Sequence, residues 1–301
     1  MGKIVVTSGQ PFTDIDALAC AIAYAELLKK EGIDAEAVLP GSLNKSITKE
    51  IKKWKLDFSK NPKFNHAKYV LVDISEPKYF ATFVKENDVV EIFDHRYGFE
   101  NYWKERLGIK SRIEMVGACA TLIWEEFVAR SNPLKISELS ANLLSTAIIS
   151  NTLNFQASVT TQRDKDSFKE MAKFTNLPRN WAETYYSEQD KEVEGDIKSA
   201  ILNDTKNIEP IIVQLELWDS KKIIFKHLKD IEETLAVFGT NNWFLTSPSI
   251  NEGRNYLYTK NPKVKKLLEK IINAKFDGDI GTTEKLWLRK EILKKLLIGK
   301  L

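Results

Sequence analysis

Acidic side chains follow several predicted strands of this sequence. Asp14 and Asp16 come after the apolar run Lys3–Ser8 (KIVVTS), and Asp73 lies at the end of the run YVLVDIS. In open α/β sheets the reactive groups gather just beyond the carboxyl ends of the strands. One acid there could simply cap a helix, but two acids at i and i+2 and a third at the end of an apolar strand would be costly without a counter-charge. Together they indicate a cation bound between strands.

A histidine strengthens this interpretation. His95 stands between Asp94 and Arg96 after the strand-like run VVEIF. A neutral imidazole among several carboxylates suits Mn²⁺, Mg²⁺ or Co²⁺. The other two histidines, His66 and His227, are expected on the surface with no role.

The elements that must position these residues alternate between strand and helix patterns. The alternation predicts an α/β fold with a mainly parallel sheet flanked by helices. The predicted strands are Lys3–Ser8, Ala35–Leu39, Tyr69–Ile74, Val89–Phe93 and Arg112–Val116. The predicted helices are a run from Asp16 to Gly32, then Ile47–Leu56, Pro77–Lys85 and Ala120–Ala129, with further helical patterns from Lys135 to Glu188.

A charged segment separates this region from a second domain. The run SEQDKEVEGD (Ser187–Asp196) is nearly free of apolar residues and is either a linker or an exposed helix. We therefore expect domains at 1–186 and 197–301, joined by 187–196. The second is a smaller α/β or α+β domain. Its predicted strands are Pro210–Leu217, Trp243–Thr246 and Asn255–Tyr258, and its predicted helices are Lys229–Val237 and Pro262–Ile272.

Composition excludes several classes of protein. The 301 residues include 45 basic and 42 acidic side chains and are 43% hydrophobic, as in an ordinary globular protein. No apolar run approaches the roughly 18 residues of a membrane span, and no signal-like stretch begins the chain, so we expect a cytoplasmic protein with no membrane contact. Cys20 and Cys119 are expected to be core thiols.

The charge is unevenly distributed. Residues 260–301 hold 12 basic and 5 acidic side chains. This excess is either the solvated faces of helices or a basic lobe that faces an anionic ligand. The total charge of +3 is too small to indicate binding of duplex nucleic acid.

Five segments resemble the motifs of one superfamily. In order along the chain they are TDIDALACAIAYAELL, VLVDIS, FDHR, GACATLIWEE and LLSTAIISNTLNF. They are similar to the DxD, second aspartate, DHH, G-x-x-A-T and LLxxIxSDT motifs of the DHH phosphoesterase superfamily. The resemblance covers nearly the whole chain. It is strongest to the branch with family II inorganic pyrophosphatases, cytosolic exopolyphosphatases and Prune-like proteins.

The resemblance implies hydrolysis of phosphoanhydride bonds by two divalent ions, Mn²⁺ or Mg²⁺ with Co²⁺ as a further candidate, at a centre between the domains. Asp73 would bridge the ions and take part in catalysis, Asp14 would hold one ion, and Asp16 with His95 would hold the other. Gln10 and Asn151 occupy further ligand positions, and Arg96 would bind substrate and take part in catalysis. The glycine of GACATLIWEE, Gly117, with Thr121, would bring helix amides to phosphate, or Gly117 would only make a turn.

The C-terminal region fits the same branch less closely. Lys206 lies in AILNDTKNI, and Arg289 and Lys290 lie in LWLRKEIL. By the resemblance these three cations would bind phosphate oxygens of the substrate. The substrate would be an anionic phosphate-containing small molecule or polyphosphate.

Three positions depart from the pyrophosphatase pattern. Gln10 stands in place of a metal-binding histidine, Arg96 replaces the second histidine of DHH, and Asn151 replaces the aspartate of SDT. Arginine cannot donate a proton near neutrality, and Asn151 removes a full negative charge from the site. Binding of one ion instead of two is therefore an open alternative.

Other functions also stay open at this point. One is a catalytically weakened homologue that binds polyphosphate or nucleotide. Another is a phosphodiesterase for oligonucleotides or cyclic dinucleotides, as in the other DHH branch, although its GGGH-type motif is not found in this sequence. A homodimer formed through an edge strand of the first domain is open as well.

Overall fold

The structure is a computed structural model that describes residues 3–10, 12–63, 67–130 and 136–298. The chain divides by its internal contacts into two compact units. The first consists of residues 1–155 and 159–179, and the second of residues 156–158 and 180–301. His66, expected on the surface, lies outside the described residues.

The strands of the first unit are β1 Lys3–Thr7, β2 Phe12–Thr13, β3 Ala35–Val38, β4 Ser42–Leu43, β5 Ala67–Val72, β6 Val89–Asp94 and β7 Ser111–Ile113. Its helices are α1 Ile15–Lys30, α2 Lys49–Lys52, α3 Glu100–Leu107, α4 Cys119–Arg130, α5 Glu138–Asn151 and α6 Gln162–Met171. The second unit has strands β8 Thr205–Lys206, β9 Ile211–Gln214, β10 Trp243–Ser249, β11 Arg254–Tyr258, β12 Lys275–Asp277 and β13 Ile280–Thr282. Its helices are α7 Trp181–Gly195, α8 Ile197–Asn203, α9 Ser220–Lys226, α10 Leu228–Leu235, α11 Pro262–Ile272 and α12 Arg289–Ile298.

A five-stranded parallel sheet forms the centre of the first unit. Its strand order is β3-β1-β5-β6-β7. From β1 the chain passes first to β3 on one side and later to β5 on the other, so a topological switch point lies between β1 and β5. Loops that leave neighbouring strands in opposite directions open a crevice there. The segments that carry Asp14 and Asp73 follow these two strands.

Helix α1 explains how a charged residue can sit inside this unit. Almost every residue from Ile15 to Leu28 is buried, because α1 packs against the sheet and against α4 and α5. Asp16, in its first turn, is fully buried. Cys20 and Cys119 are buried free thiols, as expected.

The second unit contains a six-stranded mixed sheet in the order β12-β13-β11-β10-β9-β8. Only β9 and β10 run parallel, and the remaining neighbours are antiparallel. Apolar side chains of α8, α9 and α10 pack in one core cluster of the unit, and those of α11 and α12 pack in another. The predicted fold class, a parallel α/β domain followed by a smaller mixed one, is confirmed.

Two predicted helices of the first unit are wrong in whole or in part. The Pro77–Lys85 segment contains only a 3₁₀ turn, Pro77–Tyr79, after which Phe80 is extended and pairs with Gly9. The apolar residues Phe80, Phe83 and Val84 of this segment pack against the core although they lie in a loop. Their burial therefore does not require a helix. The predicted helix Ile47–Leu56 shortens to α2, one turn capped by the side chain of Thr48.

The charged segment 187–196 lies largely within a helix. In α7 the residues Tyr185, Gln189 and Val193 recur at four-residue spacing and are buried. The charged residues between them cover the other sides of the helix. Within the described ranges, no helix combines the length and the apolar character that a membrane span requires.

Candidate metal centre

Three ligand-type side chains converge at the carboxyl end of the parallel sheet. Asp16, Asp73 and His95 each offer one atom, and these atoms all lie within 4.8 Å of one another. Asp16 comes from the first turn of α1, Asp73 follows β5 and His95 follows β6. Residues that are 79 positions apart in the sequence therefore share one site.

The carboxylate of Asp16 is held by the beginning of α4. Its Oδ2 accepts a hydrogen bond from the backbone N–H of Cys119 at 2.8 Å, and its Oδ1 accepts one from Ala120 at 2.9 Å. The Cys20 thiol adds a weaker contact to Oδ1 at 3.4 Å. Burial, followed by the charge of Asp73, raises the pKa of Asp16 to about 6.

Asp73 adopts a left-handed backbone conformation, with φ of 54°. This conformation is uncommon outside glycine, and both the carbonyl and the carboxylate of Asp73 contact Arg96. Arg96 Nη2 lies 2.7 Å from Oδ1, and Nη1 lies 3.1 Å from the main-chain oxygen. Burial alone would raise the pKa of Asp73, but the Arg96 guanidinium and His95 outweigh it and hold the pKa below its ordinary value.

The orientation of His95 is suited to binding a cation. Its Nδ1 lies 3.2 Å from the carbonyl oxygen of Val116, which accepts the N–H hydrogen bond. Nε2 then faces the acids, at 3.4 Å from Asp73 Oδ1 and 3.9 Å from Asp16 Oδ2. A carbonyl partner on one ring nitrogen is the usual support of a histidine that binds metal through the other. Burial opposes a charged ring, but Asp73 dominates and raises the pKa of His95 to about 9.

Asp14 and Gln10 lie beside this centre. The Asp14 carboxylate caps α1 by accepting a hydrogen bond of 2.9 Å from the N–H of Ala17. Asp14, Gln10, Asp73 and Arg96 all line one cavity of about 350 Å³. Burial, and then the charges of Asp73 and Asp16, raise the pKa of Asp14 to about 7.

These residues fit a hard divalent cation. Three carboxylates crowd a buried site, and burial followed by the charges of the neighbouring carboxylates raises the pKa values of Asp14 and Asp16. Oxygen ligands with one imidazole are the donor set of Mn²⁺ or Mg²⁺. Asp16, Asp73 and His95 would hold the ion.

Asn151 also reaches the centre, but as a donor. Its Nδ2 donates a hydrogen bond of 2.5 Å to Oδ2 of Asp16. The amide oxygen of Asn151, which would have to bind a metal, is therefore the atom turned away from Asp16.

The three predicted phosphate-binding cations belong to the second unit. Lys206 in β8 and Lys290 in α12 are exposed. The guanidinium of Arg289, in contrast, makes an ion pair of 2.8 Å with Asp204 and also donates to the main-chain oxygen of Asp204. His227, expected on the surface, is mostly buried and lies 2.9 Å from Asp230.

The donors of the GACAT segment, predicted to bind phosphate, bind carboxylates of the protein in the structure. The N–H of Gly117 and the hydroxyl of Thr121 both donate to the buried carboxylate of Asp164, and the α4 amides bind Asp16. These donors serve acids of the protein itself. Asp164 was missed because it lies in a polar helix start, TTQRDK, whose pattern indicates an ordinary capping residue.

Asp94 is a second residue that the sequence reasoning gave no role. It is buried, and its Oδ1 accepts hydrogen bonds from the backbone N–H groups of His95 and Arg96, at 2.8 and 3.3 Å. Asp94 therefore fixes the turn from which both side chains enter the site. Its place directly before His95 and Arg96 in FDHR was the available indication.

Comparison with known proteins gives both sequence and fold relatives. No family model matches the chain. A probable manganese-dependent inorganic pyrophosphatase of Bacillus pumilus is 34% identical over 185 residues, which are 59% of this chain and 57% of that protein. The chain spans only a little over half the length of the curated relatives it matches.

Two solved structures share the fold over nearly the entire chain. A Methanococcus jannaschii protein assigned to the family II inorganic pyrophosphatases matches with a TM-score of 0.61 and 21% identity, over 97% of this chain and 99% of that one. An exopolyphosphatase-related protein of Bacteroides fragilis matches with a TM-score of 0.52 and 13% identity, over 99% and 91%. These likenesses in sequence and fold confirm the resemblance of the chain to the DHH phosphoesterase superfamily, in the branch of the family II inorganic pyrophosphatases.

Proposed function

We propose that this protein is a metal-dependent phosphohydrolase that cleaves phosphoanhydride bonds, with pyrophosphate or short polyphosphate as substrate and Mn²⁺ or Mg²⁺ as cofactor. The observation that carries the proposal is the convergence of Asp16, Asp73 and His95 within 4.8 Å beside a cavity that Arg96 also lines. The names of the curated relatives, manganese-dependent inorganic pyrophosphatases, support the same activity and metal.

Each residue of the centre has a part in this proposal. Asp16, Asp73 and His95 hold the cation, which supplies charge stabilisation and a lowered pKa for an attacking water. Asp73 is the ligand that also contacts Arg96, and it therefore couples the cation to the substrate side of the cavity. The Arg96 side chain is 51% exposed and carries a permanent positive charge that can bind a phosphate oxygen.

In the second unit, Lys206 and Lys290 are the candidates for further phosphate contacts, because both are exposed cations. Arg289 would first have to exchange its ion pair with Asp204. Replacing Lys206 or Lys290 by alanine should raise KM for pyrophosphate more than it lowers kcat. The exposed Lys221 of the same unit provides the matched control, and Lys221→Ala should leave KM unchanged.

The decisive experiment is phosphate release from pyrophosphate, tripolyphosphate and long polyphosphate with Mn²⁺, Mg²⁺ or Co²⁺. Asp73→Asn should reduce turnover by about 1,000-fold or more, because it removes a ligand charge at the reaction centre. Asp88→Asn is the matched control, since Asp88 precedes β6 at the other end of the sheet and pairs with Lys68. Turnover that survives Asp73→Asn would refute the proposal. Ligand-induced stabilisation without turnover would replace it by a binding function.

We further propose that the protein is cytoplasmic and that two copies pair through an edge strand of the parallel sheet. The edge strands of the parallel sheet are β3 and β7. A homodimer through either edge would appear as a doubled mass in light scattering. Fractionation of cells would test the location.

A further inference from the structure

Arg96 and the candidate metal ligands meet at Asp73, whose Oδ1 lies 2.7 Å from Arg96 Nη2 and 3.4 Å from His95 Nε2. The guanidinium lines the cavity that also contains Asp14 and Gln10, whereas Asp16 and His95 do not line it. Two hydrogen bonds, to Oδ1 and to the main-chain oxygen of Asp73, hold the guanidinium in this position. A positive charge built into the chain therefore lies where the carboxylates of Asp14 and Asp73 would otherwise share a cation.

The carboxylate oxygens of Asp16 already accept hydrogen bonds from other residues of the protein. Oδ2 of Asp16 accepts hydrogen bonds from Cys119 N–H and from the Asn151 amide, and Oδ1 accepts one from Ala120 N–H. A carboxylate oxygen has two lone pairs, so Asp16 can bind the one proposed ion when a donor such as the Asn151 amide yields, and it has little capacity left for a second ion. Asn151 is neutral and presents N–H, so it adds no negative charge and no ligand atom towards Asp16.

The charge of Arg96 opposes a second ion. The guanidinium carries a permanent positive charge and contacts both Oδ1 and the main-chain oxygen of Asp73, so it already neutralises a carboxylate that a second ion would need. A second divalent ion would bring two further positive charges close to the guanidinium, which is costly in a region of low dielectric.

We propose that this centre binds a single divalent ion, held by Asp16, Asp73 and His95, and that the Arg96 guanidinium takes the place of a second cation on the Asp14 side of Asp73. The inference rests on the metal site of the proposed function, but not on turnover. It assigns Arg96 a positioning role towards Asp73 in addition to substrate contact.

The first test is a metal count on the full chain. Metal-free protein is dialysed against increasing Mn²⁺, and bound Mn²⁺ is counted while its electron paramagnetic resonance spectrum is recorded. We expect one Mn²⁺ per chain with the spectrum of an isolated ion. Two ions per chain with a spin-coupled spectrum would overturn the single-ion inference and leave the proposed hydrolase intact. Failure to bind Mn²⁺ would overturn the inference and also the metal site on which the proposed function depends.

The second test restores the groups that the arrangement lacks. Arg96→His combined with Asn151→Asp removes the fixed cation and adds a carboxylate next to Asp16. This double variant should bind a second Mn²⁺ at least about 100-fold more tightly than the parent protein does. No gain in a folded double variant would refute the role given to Arg96.

Matched controls separate local from general charge effects. Arg163→His removes an arginine that pairs with Glu114 and Glu125, and Asn154→Asp adds a carboxylate three residues beyond Asn151. This control combination has the same net charge change as the test variant and should still bind one ion. Thermal melting of each variant verifies that it is folded. If thermal melting shows that the double variant is not folded, the single variant Asn151→Asp replaces it. Asn151→Asp should bind a second Mn²⁺ more tightly than Asn154→Asp does, and equal affinities would refute the single-ion inference.

Discussion

The side-chain amide of Asn151 donates a 2.5 Å hydrogen bond to Oδ2 of Asp16, which lies 135 positions earlier in the chain. The contact joins the end of α5 to the first turn of α1, two helices that pack closely in the first unit. A neutral donor thus stabilises a buried carboxylate at the position that corresponds to the aspartate of the SDT motif in the predicted resemblance. Substitution of Asn151 therefore tests how much this hydrogen bond contributes to the stability of the buried carboxylates.

Asn151→Ala should destabilise the metal-free protein by about 1–3 kcal/mol at pH 8, because it removes a donor from a buried, charged acceptor. The measurement is urea unfolding in the presence of a chelator. The loss should shrink at pH 5, since the pKa of Asp16 is about 6 and its carboxyl is then largely protonated. An equal loss at both pH values would mean that only packing is affected.

The stability of the metal-free protein should fall as the pH rises from about 4 to about 9. The folded pKa values of Asp14 and Asp16 are raised from 3.8 to about 7 and about 6, and that of His95 is raised from 6.5 to about 9. The folded state therefore retains protons in this range that the unfolded state has lost, and this linkage lowers the free energy of unfolding as pH increases. The lowered pKa of Asp73 acts only below its ordinary value of 3.8.

Thermal melting in a chelator and in Mn²⁺ between pH 5 and 9 checks this dependence. Stabilisation by Mn²⁺ should grow with pH, because deprotonated ligands bind the ion. Asp14→Asn should flatten the slope in the chelator, and it keeps the cap of α1 because asparagine caps as well as aspartate. A melting temperature that rises from pH 5 to 8 without metal would contradict the assignment.

Gly117→Ala should destabilise the protein by about 1–3 kcal/mol, since overpacking at a closed position forces its neighbours apart. A Cβ at this position would lie 2.6 Å from Cγ2 of Thr152 and 2.8 Å from Oδ2 of Asp164. Gly195, with no atom within 4 Å of its Cβ position, is the matched control. Gly195→Ala should be neutral or stabilising by up to about 1 kcal/mol. Equal effects in urea unfolding would argue against the close packing at Gly117.

Tyr24→Phe should lower stability without changing the affinity for Mn²⁺. The Tyr24 hydroxyl donates to the buried carboxylate of Glu91 and accepts from Arg130. Eight residues of helix separate Tyr24 from Asp16, a rise of about 12 Å. We expect a loss of about 1–3 kcal/mol in urea unfolding, because Oε2 of the buried Glu91 loses its donor while Oε1 keeps its ion pair with Lys110. A tenfold or larger change in Mn²⁺ affinity would contradict the independence of the two clusters.

Much of the fold follows from patterns that act over a few residues. Helix α11 begins and ends where the sequence indicates, because Asn261 caps it, Pro262 occupies its first position and apolar residues recur at helical spacing. The central strands of the parallel sheet, β1, β5 and β6, are largely apolar runs, as strands covered on both faces must be. The rule that reactive groups follow such strands predicts Asp14, Asp16, Asp73 and His95 as candidates, and Asp16, Asp73 and His95 lie together in the structure.

The tertiary structure alone decided what the selected residues contact. Asn151 lies where a ligand is expected but offers N–H to Asp16, and the donors of the GACAT segment serve Asp16 and Asp164. Local patterning determines whether a residue faces the core, and thus which residues can reach the site. The direction of a hydrogen bond depends on side chains brought together from segments tens to more than a hundred positions apart, and those directions become defined only when the helices pack.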